Sequence, residues 1–311
     1  MLTMLRWVGA RARWVLAIGV MIASILPDLS ALLRPFMPVL VSLVFCVAMV
    51  RIDLRALLLG MAKPRRLVRL SALTIALLWV TPATVWAAGQ GLGLAPDLLA
   101  ALVYTGASPP ITSAAGLCLL LGLNAALALE LTIFASLLAP FLGPLVVTAL
   151  LGEAVPIEAV PLALRMAAMI AAGAVASVLL RHLIGSVRIE AEHRAFDGVA
   201  ALVMLSFVIP LFDGFWHQVL DEPALAGALL ILAIVVNYGA QIILAQGMPA
   251  MLGAASAGAL GLAWGNRTVA LYLAALPPDP VFGLYVALYQ IPMLLTPLVM
   301  GRVLGARYSN N

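Results

Sequence analysis

Long apolar runs divide the sequence, and they restrict the chain to one class of fold. Windows of roughly 20 apolar residues lie at 12–28, 33–50, 67–89, 96–123, 125–150, 160–184, 196–213, 223–246, 249–276 and 280–304. Inside a bilayer every backbone N–H and C=O needs a partner within the protein, and a single segment satisfies that need only as an α-helix. We therefore predict an all-α polytopic membrane protein with ten transmembrane helices.

Composition supports this class and excludes others. Apolar residues make up 65% of the 311-residue chain and charged residues only 10%, which is far from the composition of a soluble domain. The net charge of +4 comes without a basic patch interleaved with aromatic residues, so we expect the lipid bilayer as a partner and no nucleic acid. The histidines lack metal-ligand spacing, and no catalytic triad or glycine-rich phosphate loop can be assembled. We predict no metal, no cofactor and no enzymatic activity.

The basic residues indicate the orientation of the helices. With both termini in the cytoplasm, only Arg34 lies in an outer segment, and the positive-inside rule is followed. The basic residues on the cytoplasmic side are then Arg6, Arg11, Arg13, Arg51, Arg55, Lys63, Arg65, Arg66, Arg69, Arg181, Arg188, Arg194, Arg302 and Arg307. An odd number of spans would spoil this pattern at one end, so the charges favour an even number.

Two of the apolar runs are interrupted by polar and helix-breaking residues. In the fourth run Pro109 and Pro110 lack an N–H and clash with the preceding turn, so a helix cannot pass through Ser108 undisturbed. In the ninth run the interruption is the segment 264–268, Trp-Gly-Asn-Arg-Thr. Such breaks are tolerated at membrane depth only where they face protein or a wet cavity. We predict a functional site at these two breaks.

The two interruptions are related by one sequence offset. A shift of 157 positions places Ser108 on Gly265 and Pro140 on Pro297. Weak internal symmetry of this kind is typical of transporters built from two inverted repeats, with the substrate where the broken helices meet. We predict repeats at 1–150 and 151–311. The predicted substrate residues are Ser108, Pro109, Pro110, Thr112, Ser113, Gly265, Asn266, Arg267 and Thr268.

Two motifs resemble the bile acid:sodium symporter (BASS) family. They are the run 107–147, which starts Ala-Ser-Pro-Pro-Ile-Thr-Ser, and the segment 265–271, Gly-Asn-Arg-Thr-Val-Ala-Leu. The resemblance implies ten helices in two inverted five-helix repeats, a panel domain (spans 1, 2, 6 and 7) and a core domain (spans 3–5 and 8–10). It also implies that broken helices 4 and 9 cross, and that the panel rocks against the core to move an organic anion, usually with sodium, across a bacterial inner membrane.

The sodium pattern of that family is altered here. Aligned without gaps, two ligand positions after the Ser-Pro fall on Ala114 and Ala115, and two in the ninth span fall on Ala263 and Arg267. A guanidinium in that space repels a cation. The oxygen donors that remain for Na⁺ are Thr112, Ser113, Thr132 and Ser136. Sodium coupling is therefore in question, with proton coupling or exchange as alternatives.

Glu130 and Arg267 are charged residues well inside predicted spans, where charge usually marks a pathway. We predict that they form an ion pair in the core. Three roles stay open: a static salt bridge, a proton- or exchange-coupling pair, and direct contact between Arg267 and the substrate anion. Asn237 and Gln241, about one turn apart in span 8, form interhelical hydrogen bonds or line the cavity.

These observations together predict a secondary active transporter. Its substrate is a small or amphipathic organic anion of the bile acid, steroid or carboxylate class, carried by alternating access. The alternatives are a proton-coupled or exchange carrier, and a membrane sensor that has the same fold without transport.

Overall fold

A computed structural model of the chain describes residues 2–11, 15, 18, 19, 22, 26–152 and 158–308. Throughout these residues the regular secondary structure is helical, apart from one isolated β-bridge. Seven helices of the described part are long and apolar enough to cross a membrane: Pro27–Met49, Pro64–Gly91, Ala125–Leu151, Ala159–Ile184, His193–Asp221, Pro223–Gly247 and Pro280–Val303. The protein is thus a polytopic α-helical membrane protein.

Some helix boundaries differ from the apolar windows. Most of the window 12–28 lies outside the described residues, as does Arg13. The first of these seven helices begins at Pro27, well before the window 33–50, and continues through a 3₁₀ turn at Arg34–Phe36. Pro27 has the fixed φ that suits a first helical position, and Asp28 lies favourably in the first turn. Two residues that the windows place at the end of the first run therefore start a helix of their own.

The chain divides into two units, each of which is compact within itself. The first consists of Met1–Leu59 and Arg165–Pro223, and the second of Gly60–Leu164 and Ala224–Asn311. The helices of the first unit, with two that run on into the second, are Leu2–Ala10, Pro27–Leu33, Met37–Met49, Leu54–Met61, Ala159–Ile184, Ser186–Ala191, His193–Val208 and Phe215–Asp221.

Backbone-to-backbone packing and ion pairs hold the first unit together. A Cβ on Gly9 would lie 2.0 Å from the carbonyl oxygen of Arg194, and one on Gly198 would lie 2.0 Å from that of Leu5. Only glycine lets the helices Leu2–Ala10 and His193–Val208 approach so closely. Three ion pairs also join parts of this unit: Arg6–Glu192 at 2.6 Å, Arg34–Asp213 at 2.7 Å and Arg51–Asp197 at 2.8 Å.

The second unit contains two similar successions of helices. Its helices are Pro64–Ile75, a π-helical turn at Ala76–Val80, Thr81–Gly91, Pro96–Ala107, Ala114–Leu120, Ala125–Leu151, Pro223–Gly247, Pro249–Leu252, Ala254–Gly265, Ala270–Ala275 and Pro280–Tyr308. In each succession a 12-residue helix ends at a break, a short helix follows, and a long helix with two internal prolines completes the set.

The two breaks have different local causes. Ser108 adopts an extended conformation (φ −77°, ψ 145°), as expected of a residue that precedes proline. Asn266 is also extended (φ −105°, ψ 102°), although no proline follows it. Gly265 and Asn266 are weak helix formers, so tertiary contacts can end the helix there. Both breaks fall where the sequence predicts them.

Candidate functional site

The two helix breaks meet and are joined by backbone hydrogen bonds. Pro110 and Arg267 form an antiparallel β-bridge. On its two sides the Ile111 amide donates to the Asn266 carbonyl (3.0 Å), and the Thr268 amide donates to the Pro109 carbonyl (2.8 Å). Each break thereby satisfies backbone groups that the other leaves unpaired, as an apolar environment requires. We call residues 108–111 and 265–268 the junction.

Polar side chains of the junction cap the ends of the broken helices. The Ser108 hydroxyl donates to the Tyr104 carbonyl at 2.7 Å, and the Asn266 amide donates to the Leu262 carbonyl at 3.0 Å. The Thr268 hydroxyl donates to the Pro110 carbonyl at 3.0 Å. Ser108 and Asn266 are fully buried. These three predicted site residues therefore hold the backbone of the junction.

Arg267 is the charged group of the junction. Its side chain is only 2% exposed. Nε donates to the Trp264 carbonyl at 2.7 Å and Nη1 donates to the Ser108 carbonyl at 2.8 Å. The indole ring of Trp264 lies 5.8 Å from the guanidinium carbon, within the range of a cation–π contact. Nη2 has no hydrogen-bond partner in the protein. A buried cation is thus held by neutral groups alone.

The predicted ion pair between Arg267 and Glu130 is not formed. Glu130 pairs with Arg66 at 3.4 Å and with Arg69 at 4.0 Å, and no acidic side chain of the described residues pairs with Arg267. The helix Pro64–Ile75 packs beside the start of Ala125–Leu151, so its long arginine side chains reach Glu130. Sequence patterns do not reveal which helix lies next to which, and for that reason the pairing hypothesis was wrong. The coupling role of Glu130 stays a prediction.

A network of buried side chains supports the junction from the neighbouring helices. Asn237 donates to the Gly265 carbonyl at 2.6 Å, and Gln241 donates to the Asn237 side-chain oxygen at 2.7 Å. The Thr296 hydroxyl donates to the Asn266 side-chain oxygen at 3.1 Å, and the Tyr289 hydroxyl donates to the Gly265 carbonyl. Asn237 and Gln241 are fully buried. Two roles were predicted for these residues, interhelical hydrogen bonding and lining of the cavity, and the structure shows the interhelical hydrogen bonds.

Two glycines bring this network close to the junction. A Cβ on Gly261 would lie 2.6 Å from the Gln241 carbonyl oxygen, and one on Gly265 would lie 2.3 Å from the Asn237 carbonyl oxygen. Any side chain at these positions would push the helices Ala254–Gly265 and Pro223–Gly247 apart. Spaced four residues apart, the pair corresponds to the small-xxx-small pattern of closely packed membrane helices.

Thr81 is a supporting residue that the sequence predictions missed. Its hydroxyl accepts a hydrogen bond from Trp264 Nε1 at 2.9 Å and donates to the Ala76 carbonyl, also at 2.9 Å. Ala76 begins the π-helical turn, a feature that is often found at functional sites. The hydroxyl residue Thr81, next to the helix-breaking Pro82 within an apolar run, was the available sequence signal.

Two of the four predicted oxygen donors for an ion lie buried without partners. Thr132 Oγ1 and Ser136 Oγ, one turn apart on Ala125–Leu151, have no hydrogen-bond partner in the protein. Pro140 also removes the amide that would donate to the Ser136 carbonyl. Thr112 is half-buried and Ser113 is exposed. The described residues contain no group of three or more His, Cys, Asp or Glu side chains that could hold a metal ion.

Neither a protein-family model nor a curated protein matches the chain.

Proposed function

We propose that this protein is a secondary transporter of a small or amphipathic organic anion, and that Arg267 binds the anion at the junction. The observation that carries the proposal is the buried guanidinium with no acidic partner among the described residues. A buried charge without a counter-charge is strongly unfavourable. An anionic ligand would remove that penalty, whereas a cationic or neutral ligand would not.

The free donors of Arg267 suit a carboxylate or sulfate. A guanidinium has five N–H groups, and the Trp264 and Ser108 carbonyls each accept one hydrogen bond from it. The Nη2 amino group is left for a ligand. Charge-assisted bonds from arginine to oxyanions are strong and directional. The half-buried face of Trp264 offers an apolar surface beside them, which favours an amphipathic substrate.

The division into two units supports the BASS-like architecture that we propose. The first unit covers the predicted spans 1, 2, 6 and 7, and the second covers spans 3–5 and 8–10, which are the panel and core of that family. The bridged residues Pro110 and Arg267 are 157 positions apart, the offset found in the sequence. Both facts favour ten helices in two inverted repeats, with broken helices 4 and 9 crossing at the junction.

Ion pairs are in keeping with the proposed topology, in which both termini lie in the cytoplasm and the membrane is a bacterial inner membrane. Arg6–Glu192 and Arg34–Asp213 each join residues that this topology places on the same side. The unpartnered hydroxyls of Thr132 and Ser136 favour a second candidate, in which a sodium ion bound there drives transport.

Uptake by reconstituted protein tests the proposal. Purified protein in liposomes that contain unlabelled taurocholate, estrone sulfate or benzoate is given the matching radiolabelled anion, in sodium or potassium buffer. We expect at least one anion to enter, and Arg267→Gln to abolish its uptake. The control is Arg51→Gln, which removes an exposed paired arginine.

The outcomes separate the candidates. Uptake that requires sodium would favour the site at Thr132 and Ser136. Ligand binding without uptake would identify a sensor. Full uptake by the Arg267→Gln variant would refute the role of Arg267 as the anion-binding group.

A further inference from the structure

The buried charge of Arg267 affects how the carrier returns after it has released its substrate. Building on the function proposed above, we propose that the protein is an obligatory anion exchanger: the junction changes its accessibility only with an anion bound to Arg267, so one anion enters as another leaves.

The first step is that the charge of Arg267 is permanent. Guanidinium groups keep their proton in proteins, so the site cannot become neutral by releasing one. A buried carboxylate or lysine has that option. Neutrality at the junction therefore requires a second charged group to be present.

The second step is that the protein does not supply that group. Glu130 and Arg267 are the charged side chains that are buried in the described part of the chain. Glu130 already faces two arginines, Arg66 and Arg69, each about half exposed. The partners of Arg267 are two carbonyls and an aromatic ring. These groups partly stabilise a positive charge but carry no negative charge to neutralise it.

The third step concerns the return of the empty carrier. During alternating access the junction must be closed to water on both sides, and a guanidinium without counter-charge is most unfavourable in that closed state. With a monovalent anion bound, the same state holds a neutral pair. A sodium ion would add a like charge and would raise the barrier further. Return without an anion is therefore slow, and exchange is fast.

Initial uptake into two kinds of vesicle tests the exchange. Proteoliposomes contain either Tris–chloride buffer, which has no organic anion, or the same buffer with unlabelled benzoate, taurocholate or estrone sulfate, and the matching labelled anion is added outside. We expect uptake to be at least about tenfold faster into anion-loaded vesicles, because the empty return is blocked by the uncompensated charge. We also expect exchange to be indifferent to a membrane potential imposed with valinomycin and potassium, because the loaded site is neutral.

Variants at Arg267 separate this mechanism from a structural effect. In Arg267→Lys the permanent charge is replaced by an ammonium that can release its proton when it is buried, so the empty site can become neutral and the preference for loaded vesicles should weaken. In Arg51→Gln it should be unchanged. Size-exclusion profiles and melting temperatures establish that each variant is folded.

The wild-type protein alone decides the result, so a variant that fails to fold does not leave the question open. Equal uptake of an anion into loaded and unloaded vesicles would overturn obligatory exchange and leave anion transport standing. If none of the three anions enters either kind of vesicle or raises the melting temperature, both the exchange and the proposed function are contradicted.

Discussion

The hydrogen bond between Trp264 and Thr81 offers a quantitative test of how the junction is supported. Thr81→Val keeps the shape of the side chain but removes the acceptor for Trp264 Nε1 and the donor to the Ala76 carbonyl. An indole N–H left without a partner costs about 1–3 kcal/mol, and a lost neutral hydrogen bond costs about 1 kcal/mol. Because Trp264 and Thr81 are only half-buried, we expect a loss at the lower end of the combined range, about 2 kcal/mol of unfolding free energy.

A double-mutant cycle isolates the bond itself. Trp264→Phe removes the N–H, so Thr81→Val added to it has no indole left to orphan. The cost of the double variant should fall short of the sum of the single costs by about 1 kcal/mol or more. Thr81→Ser retains the hydroxyl and serves as the matched control, with an expected loss below about 1 kcal/mol.

Reversible unfolding of purified protein in mixed micelles, followed by circular dichroism, provides the free energies. Additive costs, with a coupling near zero within about 0.3–0.5 kcal/mol, would refute the conclusion that Thr81 holds Trp264. In that case the place of the guanidinium would depend on the two backbone carbonyls alone.

Three other contacts can be tested by substitution. Gly265→Ala should destabilise the protein by about 1–3 kcal/mol, because its Cβ would lie 2.3 Å from the Asn237 carbonyl oxygen. The control Gly239→Ala, whose Cβ would meet nothing within 4 Å, should be neutral or slightly stabilising. Equal melting temperatures of the two variants would contradict the close packing. The hydrogen bond from Arg6 lowers the pKa of Glu192 below its ordinary value of 4.5. This pair should therefore stabilise the fold fully above pH 4.5 and lose its effect as the pH falls through the lowered pKa. Between pH 3 and pH 7, the melting temperature of Glu192→Gln should fall less at the acidic end than that of the wild type, and an unchanged profile would refute the linkage. Arg66→Gln or Arg69→Gln alone should lower the free energy of unfolding by less than about 1 kcal/mol, since each arginine is half exposed. Both substitutions together should lower it by about 3 kcal/mol or more, because Glu130 would be a buried carboxylate without a cation. If the two effects are strictly additive in unfolding experiments, Glu130 does not depend on these arginines.

Features that depend on neighbours in the sequence were predictable. The helix Pro96–Ala107 ends where it does because Pro109 and Pro110 cannot continue it. The helix Ala254–Gly265 ends within a Gly-Asn pair. The bridged residues Pro110 and Arg267 are also 157 positions apart, which is the offset between the two interruptions in the sequence. Most long apolar windows correspond to long helices. In each case the cause acts within a few residues.

Features that depend on the rotation and neighbours of a helix were not predictable. Glu130 was assigned to Arg267, but it lies against Arg66 and Arg69. Thr81 was overlooked because an isolated threonine in an apolar run usually bonds to its own helix. The exposure of Ser113 was hidden as well, since apolar periodicity is weak where lipid and protein surroundings are both apolar.

By itself, the sequence determined that this chain crosses a membrane as helices and where two of those helices must break. An apolar medium requires internal hydrogen bonds, and proline has no N–H to offer; both constraints act locally. Only the tertiary structure decided that the two breaks satisfy each other, and that Arg267 is buried there between neutral partners. Those contacts depend on which helices pack together, and that packing depends on close approach at residues such as Gly261 and Gly265.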